Sequence, residues 1–144
     1  MKRHEAIAPL SRDHHGALIL AHLLKKNAPL YKHLPVNTKD KIEYAQQQFE
    51  IHIKKHFQQE EMILDKLRGV HEDIDKLSEE IRQEHQHLTN LFNGLNTAPD
   101  REEAMDLLGE TLKTHIRKEE RVLFPLLQQH CTEEMLDWIY MLLH

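Results

Sequence analysis

The chain has 144 residues, a formal charge of −5 and thirteen histidines, a length that fits one domain around a single core. Acids and bases are mixed along it, which excludes a nucleic-acid-binding stripe, and no apolar run approaches membrane-spanning length. The lone Cys131 excludes an internal disulfide framework, and the residues up to Leu10 lack the apolar stretch of a secretory signal, so the expected location is cytoplasmic.

Few glycines and prolines, against many Leu, Lys, Glu, Gln and His, favour helix. Residues 1–9 read as a lead-in ending at Pro9. Ser11 or Asp13 can cap a first helix that runs to about Asn27, with Leu10, His14, Ala17, Leu18, Ala21 and Leu24 on one stripe. Residues 28–37, with Pro29 and Pro35, form a loop. Thr38 is the expected cap of a second helix reaching about Arg68, where Gly69 stops it. Its stripe is Ile42, Ala45, Phe49, His52, His56, Glu60, Ile63 and Leu67. A third helix, about Glu72 to Leu95, carries Ile74, Leu77, Ile81, His85, Leu88 and Phe92. Pro99 suits the first turn of a fourth, whose stripe is Ala104, Leu108, Leu112, His115, Glu119, Val122 and Leu126. Pro125 should kink or end it. Thr132 can cap a short last helix with Met135, Trp138, Ile139 and Leu142. Short connections make neighbours antiparallel. The expected fold is therefore all-α, an up-down-up-down four-helix bundle with a short extra C-terminal helix, one domain over 1–144. The halves echo each other as two helix hairpins.

Each of the four stripes is interrupted at mid-length by metal-type side chains: His14, then His56 and Glu60, then His85, then His115 and Glu119. His56 and Glu60, like His115 and Glu119, are four apart and share a helix face. Buried carboxylates are costly unless paired or metal-bound. A single His on an apolar stripe is more often a hydrogen-bonded core residue, and one His-x-x-x-Glu alone is common on solvated helices. Two such motifs on core stripes, each matched by an upstream His, point to a metal centre. Four His and two Glu exceed one tetrahedral zinc and suit two six-coordinate ions. If both Glu bridge and each ion takes two His, one oxygen bridge leaves one open position per ion. Glu-x-x-His occurs only at Glu84 and His87, which does not make the ferritin-type pattern.

Other positions have plainer readings. His52, one turn before His56, is a seventh ligand, a hydrogen-bond partner of the ligands or a satisfied core residue; the last two are favoured because six residues close the count. Glu61 and Glu120 should turn to the flank. His15 falls on a flank, His22 at a bundle end, and His87 away from the centre. His4, His33, His71, His130 and His144 read as loop or terminal residues. Tyr31, Tyr44 and Trp138 read as core or bundle-end aromatics.

With these residues in place, the chain resembles the haemerythrin-like family, the His-His-Glu cation-binding domain, from about Leu10 to Leu127. The match rests on His14, His56, Glu60, His85, His115 and Glu119, with Leu123-Phe124-Pro125-Leu126 typical of bacterial members. The resemblance implies a four-helix bundle holding two iron ions in an Fe–O–Fe type centre; the His and carboxylate ligand chemistry also allows zinc or manganese. Oxygen-carrying members have His-x-x-x-His on the third helix, where this chain has Thr89 after His85. They end with His-x-x-x-x-Asp, where it has His115, Glu119 and Glu120. It is closer in ligand set to di-iron proteins linked to iron–sulfur repair and nitric oxide chemistry. Three functions follow as expectations: binding or sensing of O2 or NO, or a link to iron and redox homeostasis; an enzyme or repair factor acting on peroxide, NO or iron–sulfur centres; or a structural bundle with zinc or an empty site. Neither nucleic acid nor membrane is an expected partner.

Overall fold

The structure, a computed structural model, describes residues 2–144; Met1, the first residue of the expected lead-in, lies outside the described residues. It is all-helical among those residues. The helices are α1 (Ala8–Leu23), α2 (Thr38–Gln48), α3 (Lys54–Lys66), α4 (Glu72–Asn93), α5 (Arg101–Lys118), α6 (Phe124–His130) and α7 (Glu133–Leu143). A π-turn at Phe49–Ile53 joins α2 to α3, and another at Glu119–Leu123 joins α5 to α6. The four expected main helices are thus α1, α2–α3, α4 and α5–α6. No described helix is long and apolar enough to cross a membrane.

The helix starts follow capping chemistry, at positions shifted from those expected. α1 begins before Ser11 and Asp13, with Pro9 in its first turn, and ends at Leu23 rather than Asn27. Proline suits that turn because its missing N–H has no helical partner there. Asn37, not Thr38, caps α2 by accepting from the Asp40 N–H. Asp100 caps α5, so Pro99 lies just outside the helix. His71, expected to be only a loop residue, accepts from the Asp73 N–H at the start of α4, where Glu72, Asp73 and Asp75 complement the helix dipole. Thr132 caps α7 as expected. Gly69, with φ of 85°, supplies the left-handed residue past α3.

Pro125 does not end its helix. Lacking an N–H, it cannot bond the Arg121 carbonyl, and the preceding turn widens so that the Phe124 N–H reaches Glu119 O. The wide turn adds a residue to the register. Val122, expected on the stripe, is 45% exposed, and Leu123 takes the buried place. The π-turn after α2 does the same: Ile53 is buried and His52 is exposed.

Two apolar clusters flank a polar belt. One contains Leu20, Phe49, Phe57, Leu88, Leu112 and Ile116. The other contains Leu10, Ile63, Ile81, Leu123, Phe124 and Ile139. The buried polar residues His14, His56, Glu60, His85, His115 and Glu119 fall between them in each helix's sequence. α1 packs closely on α5, α3 on α4, and α7 on α3. The α1–α5 approach is tight enough that a Cβ at Gly109 would come 2.6 Å from the Ala21 carbonyl oxygen.

Candidate metal centre

All six residues expected on the stripes converge. Their donor atoms form two groups that could hold a metal ion: His14, His56, Glu60 and Glu119, and then Glu60, His85, His115 and Glu119. Both glutamates belong to both groups. Glu60 Oε2 is 3.2 Å from His56 Nε2 while its Oε1 is 3.0 Å from His85 Nε2. Glu119 Oε1 is 2.8 Å from His14 Nε2 and 3.4 Å from His115 Nε2. Glu60 is 2% exposed and Glu119 is fully buried.

His52 does not join them. Its expected place on the stripe assumed an unbroken α-helix, and the π-turn rotates it to the surface. His87 is exposed, as expected. The Thr89 hydroxyl donates to the His85 carbonyl of its own helix at 2.8 Å.

The carboxylates that sequence reasoning missed surround the imidazoles. Each of the four rings turns Nδ1 toward one: His14 to Glu120 at 3.1 Å, His56 to Asp13 at 3.0 Å, His85 to Glu61 at 3.0 Å and His115 to Glu84 at 2.7 Å. Glu61 and Glu120 do leave their own helix stripe, but the flank they reach is a neighbouring helix's histidine. Asp13, read as a possible helix cap, is instead a histidine partner, and Ser11 donates to Glu120 at 3.1 Å. Nδ1–H donates to the outer carboxylate in each case. Without metal the inner Nε2–H of His14 and of His85 donates to Glu119 and Glu60 respectively, and a metal would take Nε2 once that proton is displaced. Outer cations steady three of the carboxylates: Arg3 on Glu120, Arg82 on Glu61 and Lys118 on Glu84. Aromatic rings hold two imidazoles in place. Phe57 stacks on His85 with centroids 4.0 Å apart, and Phe124, from the Leu-Phe-Pro segment, stacks on His14 at 5.3 Å.

Charge follows this arrangement. Burial alone would lower the histidine pKa values, but the carboxylates outweigh it. Glu119 and Glu60 raise His85 to about 9, and Glu119 and Glu84 raise His115 to about 10. His14 and His56 are raised for the same reason. Burial would raise the Glu119 carboxyl, but His115, His14 and His85 hold it well below the usual carboxylate range. The protein groups alone are thus a proton-loaded cluster of imidazolium and carboxylate. Four buried atoms make no well-directed hydrogen bond, although His56 Nε2 and Glu60 Oε2 lie 3.2 Å apart: His56 Nε2, Glu60 Oε2, His115 Nε2 and Glu119 Oε2. Unpaired buried polar atoms are rare in proteins. With the imidazole Nε2 protons displaced, all four become lone-pair donors facing one space, which fits a cation. Cys131 stands apart, its thiol pushed up to about 11 by burial.

A cavity of about 280 Å³ opens onto one side of the centre, between α1, the first π-turn and α5.

An all-helical bundle with buried histidines bridged by shared carboxylates defines a metal-binding helical domain. The chain belongs to the haemerythrin family: the family described as Hemerythrin HHE cation binding domain matches residues 5–127. No curated protein and no solved structure matches it.

Proposed function

We propose that this chain is a non-haem di-iron protein that binds or senses O2 or NO. In this reading it is one up-down-up-down domain. His14 and His56 hold one iron, His85 and His115 the other, and Glu60 and Glu119 bridge them. The observation that carries it is the sharing of both glutamates by two four-residue groups. The topology draws support from the order of the apolar clusters: α1 and α4 meet the Leu10 cluster first, and α2–α3 and α5–α6 meet the Leu20 cluster first. When bound, an iron pair supplies electrons and a site for a diatomic ligand. The protein's part is to aim four Nε2 atoms, hold their Nδ1 protons on carboxylates and keep bulk water out with the two apolar clusters. Thr89 contributes no side-chain donor to the centre, which leaves a smaller ligand set than an oxygen carrier's.

The test is metal analysis of protein produced with iron available, with optical spectra before and after O2 and NO. Two irons per chain and a stable adduct are expected. About one zinc, or no metal, overturns the reading. Glu60→Ala and Glu119→Ala should each lose most bound metal, and stoichiometric iron in both would refute the bridge assignment.

The cavity favours a second reading, a di-iron enzyme or repair factor acting on peroxide, NO or iron–sulfur centres, because its volume exceeds what a diatomic needs. Rapid turnover in place of a stable adduct would select it.

A further inference from the structure

The cavity beside the centre is one-sided. His14, His56, His115 and Glu119 form its inner end, whereas His85 and Glu60 do not line it. Its walls are apolar, with Ala17 and Leu20 from α1, Ile53 and Phe57 from the π-turn and α3, and Leu112 and Ile116 from α5. The exposed residues Arg12, Gly16 and His52 mark the mouth, with half-buried Gln48. Asp13 also lies at this rim, but its carboxylate accepts from His56 Nδ1.

Gly16 is the informative residue. Glycine inside a helix is unfavourable relative to alanine. Gly109 has a packing reason, since a Cβ there would strike the α1 backbone. At Gly16 an added Cβ would meet nothing within 4 Å. What its missing side chain leaves clear is the rim of the cavity. Beside it Arg12 has no ion-pair partner among the described residues, although the chain is net acidic. Arginine can only donate hydrogen bonds, and glutamine and histidine can also donate.

We propose that this cavity binds a small organic molecule with an apolar body and an anionic end. The body lies against Leu20, Ile53 and Ile116, and the end is held at the mouth by Arg12, Gln48 and His52. A volume just below the range of drug-sized sites suits a short chain or a single ring. That the guest is brought to a metal pair rests on the function proposed above; the binding itself does not.

Hexanoate is the probe, with 1-hexanol in a parallel arm. Both are titrated into zinc-loaded protein, which is diamagnetic, and followed by amide NMR shifts, with metal content measured on the same samples. Hexanoate should give saturable shifts centred on Ala17, Leu20, Ile53 and Ile116. Gly16→Phe, which fills the mouth, should weaken binding by at least about tenfold while retaining its metal. Arg12→Gln should weaken hexanoate by about tenfold and leave hexanol unaffected. Absence of saturable shifts, shifts centred elsewhere, or undiminished binding in Gly16→Phe overturns the site. Hexanol binding as tightly as hexanoate overturns the anionic end. A protein that binds hexanoate but takes up fewer than two metal ions keeps the cavity and loses the di-metal centre, so the two failures are distinguishable.

Discussion

A histidine that must bind a metal has two nitrogens to manage, and in this chain each outer nitrogen has its own carboxylate. Removing the charge while keeping the shape tests that role. Glu61→Gln and Glu120→Gln should weaken metal binding by roughly 10–100-fold with the helical circular dichroism signal intact, whereas His87→Ala should change nothing. Metal titration against a competing chelator reads both. The pH response has a definite sign. His85 and His115 are raised from an ordinary 6.5 to about 9 and about 10. In metal-free protein their stabilisation is therefore complete below pH 6.5 and is lost as pH rises to 9–10. Glu119 is depressed from 4.5, so its stabilisation is present above that value and is lost as pH falls through its lowered pKa. Metal must displace the histidine protons. The thermal shift on adding metal should therefore grow between pH 6.5 and 9, and a shift that is flat across that window would refute the proton-loaded cluster. The six inward donors were legible in the sequence because each sits on an apolar stripe. The four outer carboxylates were not. Asp13 and Glu84 precede ligand-type histidines, and Glu61 and Glu120 follow ligand-type glutamates, so on their own helices all four point off the stripe. Only the packing of neighbouring helices gives them partners. The adjacent doublets, Asp-His, Glu-His and Glu-Glu, were the signal available.

At the scale of the helix, periodicity gave the right elements and missed their interruptions. It placed His52 and Val122 on buried stripes because it assumed 3.6 residues per turn throughout. Each π-turn adds one residue, which exposes those two and buries Ile53 and Leu123. Pro125 gave a reason to expect irregularity in the fourth helix; nothing comparable marks Phe49–Ile53. The two helix-interior glycines make opposite predictions. Gly16→Ala should raise stability by about 0.5–1 kcal/mol, since the helix gains and nothing is struck. Gly109→Ala should lower it by about 1–3 kcal/mol, because its Cβ would collide with the Ala21 carbonyl and push α1 off α5. Urea denaturation of both variants checks the pair. Equal effects would mean that the α1–α5 approach is not what Gly109 serves.

For the whole molecule, the belt divides the interior into two apolar clusters that the four main helices each cross. The hairpin echo in the sequence becomes a pattern of partners. Asp13 and Glu84 each hold a histidine within their own hairpin, while Glu61 and Glu120 each reach one in the other. Bound metal would tie all four helices at one level, so its removal should lower the melting temperature by an amount that depends on free metal concentration. At a hundredfold excess over Kd the linkage is about 2.7 kcal/mol.

This near-symmetry of donors is broken by the cavity, which touches both histidines of one group and only one of the other. Two ions held by matching donors would therefore differ in how easily they escape. Under a chelator, release should be biphasic, the ion at His14 and His56 leaving first and the one at His85 and His115 waiting on a slower opening of the bundle. Gly16→Phe, by narrowing the exit, should slow only the first phase. A single exponential would mean that the two seats are kinetically alike. If they differ, chelation passes through a one-ion form that takes up its second ion again when metal is restored, so the count at saturation stays two while the path to it is ordered.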